Sequence, residues 1–447
     1  MSLKSVHEKL LKIKQESSTN AKIQLLSEYL KEDTFKTIIK LMYNDDMHFK
    51  VNRLNPFILQ TSGLLCKKPT TSDLLKFLNK LANQRGATNS DKRELSRLAS
   101  IDKETYQLVT RIINKDAKSG FGGKTINKAC KNLLFLMPYC RCSTAKKKMS
   151  VIDYETGAIG QEKADGMFVN IIIGNRKADS LIRSRNGNIV HQMEHLHEFF
   201  YHMPRTYRNT VYMGELLIMI DGKILPRKTG NGILNSCLQN AAPHDKANHA
   251  IIKLWDAVPQ KDFWAGYSKI GYKYRLTRVS KFIAAMNHSP LCSKIKSKML
   301  YSLEEAQKFY KQLRLDGKEG AIVKNIHAKW KDHTSPDCVK LKNVMDVELR
   351  IVSWKHGKED TRFRNCMGSV QLESDDGLIS VSVSGFKDFE HFDIDWDERI
   401  GKVATLECES LTSDKSRPGY YSLYLPANLE LRPDRSDTDT LQDLKNR

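Results

Sequence analysis

The sequence predicts a multidomain chain in which an all-α domain is followed by an α/β domain and a small β-barrel. Its 447 residues exceed what a single hydrophobic core usually organises. Apolar residues recur at helical spacing in the first third of the chain, and short β-rich runs follow from about residue 150. A last group of five short strands, with turns between them, completes the pattern. We therefore expect three domains.

Residues 1–132 are expected to form the helical domain. Several leucine, isoleucine and valine residues repeat at intervals of three or four, which is the period of a helix face. The first two stripes are Leu3, Val6, Leu10 and Ile13, then Ile23, Leu26 and Leu30. A third helix is predicted to begin at Ser72 or Asp73, because either side chain can accept hydrogen bonds from the first helical amides. Its apolar face consists of Leu74, Leu75, Leu78 and Leu81.

The excess of basic residues indicates a polyanionic partner. Lysine and arginine number 73 against 52 aspartate and glutamate residues, which gives a formal net charge of +21. Residues 1–132 carry 25 basic and 13 acidic side chains, whereas residues 346–447 carry 14 and 21. A polyanion held by the first two thirds of the chain fits this distribution, and nucleic acid is the partner that we expect.

The sequence argues against a membrane protein and a secreted one. No apolar run approaches the roughly 20 residues of a membrane helix, and the N-terminal residues contain no secretory apolar segment. The nine cysteines are odd in number and scattered, which favours reduced thiols over a disulfide framework. We therefore expect a cytoplasmic protein that does not bind membranes.

From about residue 150 the sequence predicts strands. The β-rich runs FVNIIIG, TVYMGELLIMI, AIIKLWD and GAIVKN are separated by polar loops. One helix among them is well specified, because Ser302 and Glu305 form a capping box at its start. Its apolar stripe is Ala306, Phe309, Tyr310 and Leu313. After Val344, five short strands predict a small closed or half-closed barrel such as an OB-fold.

The segment QEKADGMFVNIII contains the strongest chemical pattern. Lys163 precedes Asp165 and Gly166 at the mouth of a predicted strand, which places its amine in a tight, partly enclosed turn. A lysine held in such a pocket can attack an electrophilic phosphorus. The four-residue pattern is weak evidence for a nucleophile by itself, because a surface lysine in an ordinary turn can have the same sequence.

Six further segments follow in order: SRNGN at 184–188, GELL at 214–217, LWD at 254–256, EGAIVK at 319–324, VKLK at 339–342 and RPDR at 432–435. With these segments the sequence resembles the covalent nucleotidyltransferase superfamily of ATP-dependent ligases and capping enzymes. More closely, it resembles the ATP-dependent DNA ligases of T-even bacteriophages, over nearly the whole chain. The resemblance implies a helical DNA-binding domain over 1–132, a nucleotidyltransferase (adenylation) domain with an ATP-grasp-like core over 133–345 and an OB-fold over 346–447.

This resemblance implies a ligase that seals nicks between a 3′-hydroxyl and a 5′-phosphate in duplex DNA. Lys163 would attack the α-phosphate of ATP and carry AMP, which would pass to the 5′-phosphate before the 3′-hydroxyl displaces it. Mg²⁺ and positioned cations would stabilise the charge that gathers on the phosphoryl oxygens. We further expect a monomer that binds nicked double-stranded DNA, and a sliding clamp is a candidate partner.

The resemblance also assigns roles to nine other residues. Lys324, Lys340 and Lys342 correspond to cations that contact phosphate, and the last two alternate along one strand, so they share a face. Glu215 and Glu319 resemble the carboxylates that hold Mg²⁺ or the ribose hydroxyls. The remaining positions are Arg185 beside the nucleotide or nick phosphate, Trp255 on adenine, and Arg432 and Arg435 orienting the leaving pyrophosphate.

Two positions depart from the family pattern. Phe168 stands where the pattern KxDGxR has its arginine, so a cation near the nucleotide or the nick phosphate is missing. Met213 replaces the aspartate of an Asp-Gly-Glu segment. We prefer Glu215 of this segment over Lys223 of a second Asp-Gly, because only a carboxylate binds a metal ion or a ribose hydroxyl. The departures leave the nucleophile in place.

Other functions stay open at this point. An RNA ligase or a GTP-using capping enzyme would share the superfamily, but neither typically carries a helical front domain. A catalytically impaired nucleic-acid-binding relative would account for Phe168 and Met213. NAD⁺ as the adenylate donor is disfavoured, because the spacing of a four-cysteine zinc finger is absent. The match of residues 191–195 to H-x-x-E-H predicts zinc binding only if both histidines share a helix face.

Overall fold

The computed structural model describes residues 2–44, 47–51, 53–57, 69–84, 86–145, 149–174, 180–342, 345–359, 363–414 and 417–446, without the side chains of His244, Lys342 and Asp388. The chain divides into two units, residues 1–340 and 341–447. The domain boundaries expected after residues 132 and 345 stay predictions. Within the described ranges, none of the helices combines the length and the apolar character that crossing a bilayer requires.

The front of the first unit is helical, as the apolar stripes predict. Its described helices are Leu3–Gln15, Thr19–Tyr29, Asp33–Tyr43, Thr71–Asn83, Asn89–Ala99, Lys103–Ile113 and Gly123–Ala129. The predicted apolar residues of the first helix are all buried in one core, together with Leu26 and Leu30 of the second stripe. These helices therefore pack by the faces that the sequence indicates.

The predicted start of the helix Thr71–Asn83 was wrong by two or three residues. Thr70 is its N-cap, and its hydroxyl accepts a hydrogen bond from the Asp73 amide at 3.2 Å. The Asp73 carboxylate in turn accepts from the Thr70 amide at 2.9 Å. Asp73 is thus the third-residue partner of a capping box, and Ser72 lies inside the helix.

Strands and helices alternate through the rest of the first unit. Its strands are β1 Arg141–Thr144, β2 Ala158–Lys163, β3 Met167–Ile172, β4 Leu181–Ser184, β5 Thr210–Ile220, β6 Lys223–Ile224, β7 Ala250–Pro259, β8 Tyr267–Ser268, β9 Cys292–Lys294, β10 Ser297–Leu300, β11 Gly320–Asn325, β12 Trp330–Lys331 and β13 Thr334–Lys342. Its helices are Glu194–Tyr201, Arg227–Leu238, His244–Ala247, Gln260–Trp264, Tyr272–Ala285 and Leu303–Leu315.

Two sheets position the site. The first has the strand order β1-β13-β11-β2-β10, and the second has the order β4-β3-β5-β7-β9, with β6 paired to β5. The runs TVYMGELLIMI and GAIVKN coincide with β5 and β11. β3 and β5 read as nearly continuous apolar runs because both faces of their sheet are covered. Val169 and Tyr212 belong to one apolar cluster, whereas Phe168 and Val211 belong to another.

The capping box predicted for the helix Leu303–Leu315 is present in a shifted form. The Ser302 hydroxyl accepts from the Glu305 amide at 3.0 Å. The Glu305 carboxylate accepts from the amide of Tyr301, at 2.8 Å, one residue before the N-cap. The start of this helix is therefore where the sequence places it.

The described strands of the second unit form an open arrangement. They are β14 Met345–His356, β15 Met367–Glu373, β16 Ser380–Val383, β17 Val403–Cys408, β18 Ser410–Ser413, β19 Tyr421–Tyr424 and β20 Ala427–Leu431, with short helices at Asp388–Phe392 and Leu441–Lys445. Five of them lie in the order β16-β15-β14-β17-β20, and β18 pairs with β19. The five predicted strands are confirmed, but the pairings among the described residues do not close a barrel.

The histidines of H-x-x-E-H do not share a helix face. The helix Glu194–Tyr201 begins after His191, so only His195 of the two histidines is helical. Its Nε2 lies 2.9 Å from the Ala250 carbonyl oxygen, which is a structural contact. The condition for a zinc-peptidase interpretation is not met.

Candidate active site

Lys163 ends β2, a strand that is paired on both sides, with β10 and with β11. Its partner in β11 is Gly320, which brings the preceding Glu319 next to the lysine amine. Lys163 Nζ contacts Glu319 Oε1, and the two side chains are 23% and 17% exposed. The amine is therefore held in one place by a carboxylate from a distant part of the chain.

The turn after Lys163 is shaped by Gly166. A β-carbon at this position would lie 2.4 Å from the Leu216 carbonyl oxygen and 2.9 Å from Glu215 Cγ, so no side chain fits. The Gly166 amide donates to Glu215 Oε1 at 3.3 Å, and Asn231 Nδ2 donates to the Gly166 carbonyl at 3.3 Å. The glycine of KxDG is therefore required for the close contact between this turn and β5.

Glu215 brings a second carboxylate to the lysine. It lies on β5 directly opposite Phe168 of β3, and directly paired residues of antiparallel strands share a face. Burial raises the pKa of Glu215 to about 8. The Lys163 charge and the Gly166 amide oppose this shift, whereas the charge of Glu319 adds to it. Glu215 therefore holds a proton at neutral pH until a cation stabilises its ionised form.

An aromatic cluster lies on the same face. The Phe168 ring contacts Tyr139 edge-on at 5.0 Å between centroids and packs against Trp255 at 5.6 Å. The Arg185 guanidinium lies over the Tyr139 ring at 4.9 Å and near the Phe168 ring at 5.9 Å. Phe168 itself carries no charge, but the guanidinium of Arg185, which directly follows β4, lies beside its ring. Trp255 is half-buried, and its role on adenine stays a prediction.

Packing accounts for both departures from the family pattern. Phe168 and Met213 are 9% and 4% exposed and belong to one apolar cluster. Met213 lies opposite Asp256 of β7, so an aspartate at position 213 would place two carboxylates side by side. A charged residue at either position would have to be desolvated in this cluster, which is costly without a partner.

Lys324 is the most deeply buried cation of the site. It is 8% exposed, and its ammonium lies 4.2 Å from the centroid of the Tyr272 ring. Burial opposes its charge, but the surrounding acidic groups, Tyr272 and Cys338 first among them, outweigh burial and raise its pKa. The neighbouring Asp256 is already paired, since Arg275 donates to its two oxygens at 2.7 and 3.1 Å. Lys324 therefore keeps its full charge inside the protein.

Three predicted cations of the first sheet lie close enough to one thiol to affect its pKa. Lys340 lies on β13 opposite Thr144 of β1. The charges of Lys324, Lys340 and Lys163 all act on the same thiol, that of Cys142. Lys342 ends β13, and its side chain lies outside what the structure describes.

Arg432 and Arg435 belong to the second unit and have acidic partners there. Arg432 donates to Glu348 at 2.7 Å and to the two Asp434 oxygens at 2.9 and 2.8 Å. Arg435 donates to Asp437 at 3.2 Å. Their role toward pyrophosphate stays a prediction.

The two carboxylates beside Lys163 fit a magnesium ion. Mg²⁺ in proteins is usually bound by one or two carboxylates together with waters and substrate phosphates. Glu215 and Glu319 are close enough for the charge of one to affect the other. The raised pKa of Glu215 reflects a carboxylate without enough compensating charge, which is the condition that a divalent cation removes.

The chain matches known proteins in both sequence and fold. Residues 139–342 match the family model described as the ATP dependent DNA ligase domain. The DNA ligases of Enterobacteria phages T4 and T6 are each 25% identical to it over 479 aligned residues, covering 96% of this chain and 95% of each relative. Together with the lysine and its carboxylates, these matches define the chain as an ATP-dependent DNA ligase, an enzyme that uses ATP and a divalent metal ion. Within that class it resembles the T-even phage type over nearly its whole length.

Solved structures agree with this fold. The protein described as Pmar-Lig_Pre has a TM-score of 0.70 and 21% identity, covering 97% of this chain and 99% of its own. The one described as Pmar-Lig_PreS3 has a TM-score of 0.68 and 20% identity, covering 95% and 98%. The fold is therefore shared over both units of the chain.

Several residues of the site were not predicted from the sequence. Tyr139 and Tyr272 lie in segments without a recognisable motif, and Arg227 pairs with Asp165 at 2.9 Å across the KxDG turn. Asp256 of the LWD segment indicated that one more site residue exists, because a carboxylate inside an apolar strand needs a hydrogen-bond partner. That partner is Arg275, which no spacing rule indicates.

Proposed function

We propose that this ligase seals nicks in duplex DNA with Lys163 as the residue that carries AMP. The observation that carries the proposal is the contact between the Lys163 amine and Glu319 at the end of a doubly paired strand. Glu215 lies close enough for the charges of both residues to affect its pKa. No other lysine in the described residues has this set of neighbours together with the KxDG turn.

Proton transfer comes before attack in this mechanism. A lysine ammonium has no free electron pair, so Lys163 must lose a proton before it reacts. Glu319 Oε1 already contacts Lys163 Nζ and is placed to accept that proton. The amine then forms its bond to the α-phosphorus while the bond between that phosphorus and the pyrophosphate oxygen breaks.

Lys324 and Lys340 stabilise the charge on the phosphoryl oxygens in each step. Both lie on strands of the sheet that carries Lys163, and their charges act with that of Lys163 on the Cys142 thiol. Lys324 is shielded from water, where a fixed charge has its largest effect. Glu215 and Glu319 would hold the Mg²⁺, which when bound would neutralise phosphate oxygens. Lys342, on the same strand as Lys340, adds a further cation.

The aromatic cluster receives the nucleotide in this proposal. Trp255 packs on adenine, and Arg185, which lies over Tyr139, binds a phosphate of the nucleotide or of the nick. Phe168 keeps the position of Arg185 by packing between the rings. Arg185, just after β4, is then the cation that stands beside the Phe168 ring.

The remaining parts of the proposal concern regions away from the nucleophile. We assign duplex binding to residues 1–132, adenylation to residues 133–345 and an OB-fold with Arg432 and Arg435 as pyrophosphate ligands to residues 346–447. Some front lysines are used internally, since Lys124 pairs with Asp332 at 3.2 Å. We assign the contacts to DNA phosphates to exposed basic side chains of this region. We place the enzyme, as a monomer, in the cytoplasm of a host cell, and a sliding clamp stays a candidate partner.

Incubation with α-labelled ATP and Mg²⁺ tests the proposal. The full chain should form a covalent AMP adduct that is absent from Lys163→Ala, and Lys298→Ala on the exposed part of β10 is the matched control. Lys163→Ala should still seal a nick that already carries AMP, because that step does not use the lysine. An adduct on Lys163→Ala, or none on the unaltered chain, would contradict the proposal. The second result would favour an impaired nucleic-acid-binding protein.

A further inference from the structure

We propose that Cys142 and Cys338 form a reversible disulfide, and that a phosphate bound at the active site slows its formation. The two sulfur atoms lie 2.6 Å apart, although the residues are 196 positions apart in the chain. The coupling to phosphate rests on the proposed function of the site lysines. The disulfide itself does not depend on that function.

The strands around the two thiols explain their closeness. β1 and β13 run parallel, and their register shifts between Cys142, which faces Ser335, and Ser143, which faces Val339. Cys338 lies within the extra residues of β13 that this shift creates, opposite Cys142. A disulfide bond is about 2.0 Å long, so closing it requires only a small movement of two side chains that already touch.

The charges around Cys142 favour its thiolate. Cys338 donates a hydrogen bond that lowers the pKa of Cys142, against the effect of burial. The charges of Lys324, Lys340 and Lys163, on three neighbouring strands, lower it further. Cys142 is therefore the attacking sulfur and Cys338 the one that keeps its proton.

The chemistry is thiol–disulfide exchange with a small disulfide, R–S–S–R, as the oxidant. The Cys142 thiolate attacks one sulfur and releases R–S⁻, which leaves a mixed disulfide on Cys142. Cys338 then loses its proton and attacks the Cys142 sulfur, and the second R–S⁻ leaves. The two protein thiols lose two electrons, and the small disulfide is reduced to two thiols. Cys142 is half-buried, whereas Cys338 is 6% exposed, so Cys142 is the more accessible of the two.

A phosphate at the site competes with the thiolate for the same lysines. If phosphate binding weakened the acidity of Cys142 about tenfold, its thiolate fraction would fall by up to about tenfold. The more basic thiolate is a better nucleophile, and with a Brønsted coefficient of about 0.45 this recovers roughly threefold. The net effect is then a slowing of up to about threefold. Oxidation would thus act mainly on enzyme without nucleotide.

The test uses the full chain at pH 7 with hydroxyethyl disulfide as the oxidant. Free enzyme is compared with enzyme whose adenylation has been measured by intact mass, and aliquots are quenched in acid, alkylated and digested. Mass spectrometry then quantifies the peptide pair that joins residues 142 and 338. We expect this pair to form, to be reversed by dithiothreitol and to form up to about threefold more slowly on adenylated enzyme.

Three variants make the result specific. Cys338→Ser should stop at the mixed disulfide on Cys142, and Cys142→Ser should form no linked peptide. Cys140→Ser is the matched control, because Cys140 lies beside β1, is half-buried and should leave the linkage unchanged. A chain that links other cysteines, or stops at the mixed disulfide with both thiols present, would overturn the disulfide.

The two parts of the proposal fail separately. Equal rates on free and adenylated enzyme would overturn the coupling while the proposed ligase function stands. A chain that cannot be adenylated at all would remove both the proposed function and the coupling, whereas the linked peptide can still be measured on it.

Discussion

Replacing Lys324 by methionine should nearly abolish adenylation while the fold survives. Lys324 is 8% exposed, and the apolar part of its side chain packs as methionine would. Removing its ammonium leaves no carboxylate without a partner, because Asp256 keeps both of its hydrogen bonds from Arg275. Lys331→Met is the matched control, since Lys331 also lies over a tyrosine ring, that of Tyr267 at 5.9 Å, but is exposed.

The size of the effect follows from the burial of Lys324. Two unit charges about 4 Å apart interact with about 4 kcal/mol at an effective dielectric constant near 20. Removing a single stabilising group from a preorganised site typically costs about 2.7–4 kcal/mol, or 10²–10³ in rate. We therefore expect the single-turnover rate of adduct formation to fall by about 10²–10³-fold in Lys324→Met.

The assay is rapid quenching of enzyme mixed with α-labelled ATP and Mg²⁺, with thermal unfolding measured on the same samples. Lys331→Met should react at the rate of the unaltered chain. A Lys324→Met enzyme that melts normally and loses less than about tenfold in rate would refute the assignment of Lys324 to the phosphate site.

Further predictions concern four other parts of the molecule. Lys340→Ala and Lys342→Ala should each lower the adenylation rate by about 10²–10³-fold, and a loss below tenfold in both would place these lysines on a solvated strand face. Phe168→Arg should destabilise the first unit by about 3–5 kcal/mol, the usual cost of losing a buried phenylalanine, and a urea midpoint equal to that of the unaltered chain would contradict this. Because burial raises the pKa of Glu215 to about 8, the folded metal-free chain retains a proton that the unfolded chain loses near pH 4, so stability should fall as the pH rises from about 4 to 8. Urea titrations across that range should show a smaller fall for Glu215→Gln. A chain that begins at residue 133 should still adenylate itself but lose most of its affinity for nicked duplex, and the salt dependence of its binding should drop by roughly 0.9 per lost phosphate contact. An unchanged affinity would limit the front helices to a structural role.

The sequence predicted those features that depend on neighbouring residues. β5 and β11 end where their apolar runs end, and the start of the helix Leu303–Leu315 follows from Ser302. The start of the helix Thr71–Asn83 was misplaced because Asp73 serves equally well as a cap and as the third-residue partner of one. Local patterns thus fix the elements but not always their first residue.

Features that join distant segments could not be predicted in this way. The contact of Lys163 with Glu319 depends on the pairing of β2 with β11, and the thiol pair depends on a register shift in β13. The resemblance to ligases assigned Lys163 and Glu319 to one site, but it gave no distance or contact between them. It could not indicate that Phe168 would pack beneath the Arg185 guanidinium, because that depends on how three aromatic rings share one apolar cluster.

β2 pairs with a neighbouring strand on each side, which affects the hydrogen exchange of its amides and the thermal stability of the site. Amides of such a strand are protected by both neighbours, and we expect them to exchange with solvent only when the first unit unfolds. The amine that we propose as the carrier of AMP is thus attached to one of the most persistent parts of the backbone. We therefore expect the approach of ATP, and not a rearrangement of the lysine, to bring the reacting atoms together. On warming, self-adenylation should then persist up to the melting temperature of the first unit.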